Sequence, residues 1–216
     1  MTASLAVEQF DKNALEYDKW FDEHPAVFKS ELKALEVFFP KSGVSLEVGA
    51  GTGRFTKALD ITYGLEPSPA MREIAKSRGI KVMDGVAEAL PYPDSHFDSV
   101  VFVTTLCFVD DLTKALKETY RVLKTNGVIV TGIIDKDSTL GKQYQKSKSP
   151  FYTNAHFISA VELEQRLLST GFQEIKSCQT LVKDPKTLLR AEEPISGHGL
   201  GGFIVFCGKK SGLGET

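Results

Sequence analysis

At 216 residues, with 42% hydrophobic and 25% charged side chains, the chain has the composition of one folded domain with a sizeable core. A formal net charge of −2 supplies no basic field to gather a phosphate backbone, which argues against a nucleic-acid partner. Cys107, Cys178 and Cys207 are spaced too widely for a disulfide framework or a Cys-x-x-Cys metal pair, so no metal and a reducing compartment are expected.

The start, Met1 to Ala6, has neither the basic end nor the apolar core of a secretory signal, and a cytoplasmic location follows as the expectation. Residues 5–39 carry Leu15, Trp20, Phe21, Val27, Phe28, Leu32, Leu35, Phe38 and Phe39 at helical spacing, predicting two helices parted near Pro25 within a helical cap over 1–40. Pro40 to Gly43 then stops the second helix. From there strands and helices alternate: strand 44–48, helix 53–59, strand 61–65, helix 69–78, strands 80–84 and 97–103, helix 111–124, strand 127–134. That order is the mark of βαβ units and of a parallel sheet covered on both faces.

The most apolar run, 100–109, is interrupted by Thr104 and Thr105 and is about half the length of a membrane span, so it reads as a buried strand and no membrane partner is expected. After Asp135 the chain turns to Gly, Lys, Gln and Ser, predicting a mobile lid over 136–158 above the carboxyl edge of the sheet, where insertions bear on substrate. A helix over 159–170 ends at the capping Gly171. Strands 173–182 and 203–208 form an antiparallel hairpin around the loop 183–202, which closes a single domain over 1–210 before a disordered tail at 211–216.

Strand one runs into Gly49, Gly51 and Gly53. Such glycines accept positive φ and let a ligand approach the main chain, and a turn of this kind opens a crevice at the carboxyl ends of the strands. A dinucleotide fingerprint needs its third glycine three positions past Gly51, where Arg54 stands. The segment Glu47 to Gly53 instead resembles the first motif of class I S-adenosylmethionine (SAM)-dependent methyltransferases. Asp84 to Asp98 resembles that family's adenine-binding turn, with Val86 where relatives often carry Asp, and Tyr120 to Gly127 resembles the end of the helix before strand five. Phe10 to Trp20 is similar to the leading segment of small-molecule methyltransferases of the quinone-biosynthesis group.

The resemblance implies an α/β fold, a three-layer doubly wound Rossmann-like sheet of seven strands in the order 3-2-1-4-5-7-6 with the last strand antiparallel. It also implies SAM as methyl donor, S-adenosylhomocysteine as product, and a small-molecule methyl acceptor. Its cofactor contacts fall on Tyr17, Glu47, Gly49, Ala50, Gly51, Glu66, Pro67, Met71, Val86, Ala87, Glu88, Thr104 and Thr105. Glu47 is expected to meet the α-amino group and Glu66 the ribose hydroxyls, a contact a nicotinamide dinucleotide would share. Pro67 and Met71 would wall the adenine, or belong to the core.

The acceptor is expected against Trp20, Phe108, Asp135, Tyr144 and Tyr152, within a larger aromatic set that includes Phe21 and Phe151; Asp135 also suits a turn or capping role. His156, after the lid, is the candidate general base, needed only where the acceptor arrives protonated. Arg54 reads as a solvated residue in a first helical turn. The rival functions are a nicotinamide-dependent oxidoreductase and a non-catalytic or macromolecule-directed SAM-binding protein. No residue pattern specifies an oligomeric state.

Overall fold

The structure is a computed structural model and describes residues 5–211; the expected tail beyond Ser211 and the first four residues lie outside the described residues. Eight strands form one sheet in the order β3-β2-β1-β4-β5-β8-β6-β7. Five are parallel: β1 Ser45–Val48, β2 Tyr63–Leu65, β3 Val82–Met83, β4 Phe97–Val103 and β5 Leu123–Ile134. β8 Phe203–Lys210 lies antiparallel between β5 and β6 Phe172–Thr180, as the hairpin reading required. The eighth strand, β7 Ile195–Ser196, falls in the expected loop and adds two residues to the edge of β6.

Alternation along β4 divides the core into two layers. Val100 and Phe102 point to one face with Leu46, Leu65, Leu116, Ile129, Leu163, Leu167 and Phe206. Val101 and Val103 point to the other with Phe21, Val27, Leu35, Phe55, Val130, Phe203 and Val205. Successive side chains of a strand face opposite ways, so a central strand covered on both sides reads as one unbroken apolar run. Burying each such side chain contributes about 1.5–3 kcal/mol.

The N-terminal cap is three helices rather than two: α1 Leu5–Lys12, α2 Ala14–Glu23 and α3 Pro25–Glu36. Asn13 leaves the helical region (φ −116°, ψ 21°) and its side-chain amide donates to the Gln9 carbonyl, a local bond that competes with the helix. α4 Arg54–Ala58 and α5 Pro69–Ser77 follow β1 and β2. Ser68 starts α5 by accepting from the Met71 N–H, with Pro69 at the first helical position.

α6 Leu112–Val122 passes directly into β5, so Asn126 and Gly127 lie inside a strand and not in a turn. Asn126 takes φ +67°, and the register with β4 shifts between Phe97 and Ser99, as a bulge demands. The lid holds a helix, α7 Thr139–Gln145, capped by Ser138, before α8 Ala160–Thr170 ends at Gly171 with φ +108°. No helix among the described residues is long and apolar enough to cross a membrane.

Candidate functional site

The turn between β1 and α4 is built by backbone geometry that only glycine adopts cheaply: Gly49, Gly51 and Gly53 have φ of +73°, +54° and +81°. The N–H groups of Gly49 and Ala50 both donate to the Leu65 carbonyl, at 2.8 and 3.0 Å, tying the turn to the end of β2. A Cβ on Gly49 would stand 2.3 Å from Cγ2 of Thr105, so the loop after β4 closes directly on that glycine. Thr104, which opens this loop, is itself held at φ +52°, a strained setting for a residue with a Cβ.

Glu66 completes the turn. Its Oε2 accepts from the Gly51 N–H and its Oε1 from the Ser68 N–H, each at 2.9 Å, while the residue is buried. Burial raises its pKa and the two amides draw it down. A carboxylate offers about four acceptor positions, so about two remain for a ligand diol. Glu47, 1% exposed, has the Thr56 hydroxyl as its hydrogen-bond donor, and burial lifts its carboxyl to about 8. A carboxyl so placed is stabilised as an anion when a cation arrives beside it.

Tyr17 stands over the turn, its Cε1 3.6 Å from where a Gly51 Cβ would be. Burial first, then the charges of Glu31, Glu47 and Glu66, raise the pKa of its phenol, which therefore stays protonated. The neighbouring Asp18 anchors α2 to the turn. It accepts from the Thr52 hydroxyl at 2.6 Å, from Arg54 Nε and Nη2 at 2.9 Å each, and from Arg78 Nη2 at 2.5 Å. Arg54, expected in solvent, is instead committed to Asp18 and Asp22, with 19% of its side chain exposed.

Aromatic rings close the crevice from above. Phe10 packs edge-on against Tyr17 and Phe108 at 5.6 and 5.0 Å between centroids, and Phe151 of the lid lies 5.7 Å from both Phe10 and Tyr17. Tyr144 of α7 stacks on Tyr152 at 4.5 Å. The lid is pinned by main-chain bonds, from His156 N–H to the Cys107 carbonyl at 2.7 Å and from Lys136 N–H to that of Ile158 at 3.1 Å.

Other expected residues are held by the fold as follows. Asp135 is buried, and its Oδ1 accepts from the Ala160 N–H at 2.9 Å, which secures the start of α8. His156 is exposed, so its ring faces water while its main chain holds the wall. Glu88 accepts from the N–H groups of Asp110 and Asp111 at 2.7 and 3.2 Å and joins the turn after β3 to the loop before α6. Met71 is 1% exposed and belongs to the core; Ala87 is buried, Val86 is exposed, and Pro67 is half-buried beside Glu66. Trp20 stacks on His24 at 4.5 Å and meets Phe21, on the flank of the aromatic cluster.

Three residues at the site had no assigned role. Phe10 joins the rings, and Asp11 accepts from the Ser68 hydroxyl and the Ala70 N–H at 2.9 and 2.8 Å, binding α1 to the start of α5. Both lie in the Phe10 to Trp20 segment, whose pattern was the signal available. Glu31 sits in the middle of α3, where a carboxylate flanked by Lys29 and Lys33 looks like any surface residue.

Comparison with known proteins adds the family. A model described as a methyltransferase domain matches residues 46–131, from β1 into β5. An uncharacterized protein of Methanocaldococcus jannaschii is 45% identical over 203 residues, covering 93% of this chain and 98% of that protein. A solved Thermotoga maritima SAM-dependent methyltransferase, described as a possible histamine N-methyltransferase, is 45% identical with a TM-score of 0.92, covering 94% of this chain and 99% of that one. An uncharacterized protein of Mycobacterium tuberculosis is 36% identical over 183 residues, and the match spans 81% of this chain and 63% of that protein.

Proposed function

Because the chain belongs to the class I SAM-dependent methyltransferases, we propose that it moves the methyl group of SAM to a small-molecule acceptor enclosed beneath its own aromatic lid. The nicotinamide reading loses its ground with the family. The observation that carries the proposal is the junction at Gly51: its N–H meets Glu66, and Tyr17, Phe10 and Phe151 roof the same turn.

The residues fit the donor. Glu66 has acceptor capacity for a ribose diol, and the strand-end Glu47 is a buried carboxyl without a cation, suited to the α-amino group. The glycines supply main-chain approach, and the absence of a Cβ at Gly51 keeps the space below Tyr17 open. When bound, SAM supplies a methyl carbon on a sulfonium, which is already an excellent leaving group. What the chain must add is alignment of acceptor and donor and exclusion of water, and positioning of this kind supplies roughly 7–11 kcal/mol.

Tyr17 serves both ends of this task, since it touches the turn and belongs to the ring cluster that reaches the lid. Asp18, held by Thr52, Arg54 and Arg78, fixes the helix that presents it. A compartment roofed by side chains of α1, α2 and the lid accommodates a small molecule more readily than a macromolecular chain.

The test is calorimetric titration with S-adenosylhomocysteine, followed by methyl transfer from labelled SAM into a cell extract separated by ultrafiltration. Label in the small-molecule filtrate is the expected result. Failure to bind SAM and its product, or label confined to retained macromolecules, refutes the proposal.

A further inference from the structure

Glu31 is 6% exposed, and among the described residues no hydrogen-bond donor or basic side chain is paired with its carboxyl group. Its neighbour on α3 shows the contrast: Ser30 donates to the Ala26 carbonyl at 2.7 Å and accepts from the Glu192 N–H at 2.9 Å. Burial alone lifts the Glu31 carboxyl to about 8. Leaving such a group unpaired in the interior costs free energy that an apolar residue of the same size would avoid. The carboxyl is not sealed in, since the fully enclosed side-chain polar atoms without a partner among the described residues are Thr131 Oγ1 and Thr180 Oγ1, so a ligand can reach it.

The surroundings indicate which ligand. Val27 and Leu35 lie one turn either side of Glu31 on α3, and the buried cluster they belong to is packed by Tyr17, over the glycine turn, and Tyr144 of α7, on which Tyr152 of the lid stacks. Tyr144 and Tyr152 are stacked on one another, and burial keeps all three phenols protonated. A second unpartnered group shares this side of the sheet. Cys178 of β6 reaches the Ala34 carbonyl of α3 through its Sγ, so Thr180, two residues on, faces the same way, and its Oγ1 is buried without a partner. Protonated tyrosines around a carboxylate offer π-faces and hydroxyl oxygens to a cation but no competing positive charge. A neutral hydroxyl would give Glu31 one hydrogen bond, while a protonated amine gives a charge-assisted bond and restores the anion.

We propose that Glu31, with Tyr17, Tyr144 and Tyr152, is the acceptor subsite, and that it takes the basic nitrogen of a small organic amine. The proposal rests on the methyltransferase reading above and specifies its substrate class. Tyr17 then links the two halves of the site, since it stands over the turn and packs against the cluster that holds Val27 and Leu35 on either side of Glu31.

The experiment uses the full chain saturated with S-adenosylhomocysteine and titrated with benzylamine, phenethylamine and tyramine, each beside its isosteric alcohol. Amines should bind at least roughly tenfold more tightly than their alcohols, a difference of about 1.4 kcal/mol. E31Q should erase that preference while S-adenosylhomocysteine affinity stays within about twofold of wild type. The ligand-free variant should melt no lower than wild type, because a group kept for binding costs stability. E31M, of similar volume, serves the same comparison should E31Q fold poorly.

Equal binding of amines and alcohols, no binding of any amine, or a preference that survives E31Q would overturn the subsite while leaving the methyltransferase reading intact. A lowered melting temperature with unchanged amine preference would assign Glu31 a structural role instead. Loss of S-adenosylhomocysteine binding by the wild-type chain would bring down both.

Discussion

Glu66 receives the Gly51 N–H on one oxygen and the Ser68 N–H on the other, so a single side chain bridges the glycine turn and the start of α5. The acidic end of β2 is therefore a structural brace as well as the expected diol acceptor, and a substitution there has two effects that separate measurements resolve.

Glu66→Ala should weaken S-adenosylhomocysteine binding by one to two orders of magnitude, roughly 1.4–2.8 kcal/mol. It also strands the amides of Gly51 and Ser68, lowering unfolding stability by about 1–3 kcal/mol. Calorimetry reads the first and urea unfolding the second. Unchanged affinity with lowered stability would leave Glu66 as a brace alone.

Gly49→Ala should destabilise the fold by about 1–3 kcal/mol, as overpacking does, with any cost of the +73° φ added to that. The new Cβ would lie 2.3 Å from Cγ2 of Thr105. Since the clash is with a side chain, the double variant with Thr105→Ala should recover part of the loss. A double-mutant cycle tests it, and strict additivity would show that backbone conformation dominates.

Binding of SAM near neutral pH should release up to one proton per site through Glu47. The free carboxyl, lifted to about 8 by burial, is largely protonated at pH 7. An ammonium placed beside it favours the anion and lowers that value, so the proton leaves on binding. Release should fade as pH rises past the free-state value, where the group is already ionised. Titrations in buffers of different ionisation enthalpy measure the number, and Glu47→Gln should abolish it.

His156→Asn should leave turnover within about twofold of wild type, since the ring is exposed and the residue holds the lid through its N–H to Cys107. General-base catalysis contributes about 10²–10⁴-fold where it operates. A drop of that size with intact SAM affinity would return the base to His156, by way of a lid position different from this one.

The chain order of strands and helices, the glycine turn and the acidic residue ending β2 were all legible in the residues, because each is written in a local run: unbroken apolar strands, closely spaced glycines that accept positive φ, a carboxylate thirteen positions past Gly53. The C-terminal cap of α8 at Gly171 was also legible, whereas the caps at Ser68, Asp111 and Ser159 that start α5, α6 and α8 came from the structure. The break at Asn13, the bulge at Asn126 and the edge strand β7 were not legible, since each depends on a neighbouring element to hold it.

The sequence alone determined the fold class and the family, for the backbone periods of helix and strand and a turn's demand for glycine act over a few residues. Only the tertiary structure decided which polar groups serve the fold and which are left for a ligand. Asp135, Glu88 and Arg54 had the chemistry for a site and found partners within the chain, whereas Glu31, unremarkable between two lysines, was carried into the interior by the face of α3 and found none. Burial and pairing join residues far apart in the chain, and nothing in a residue's immediate neighbours records them.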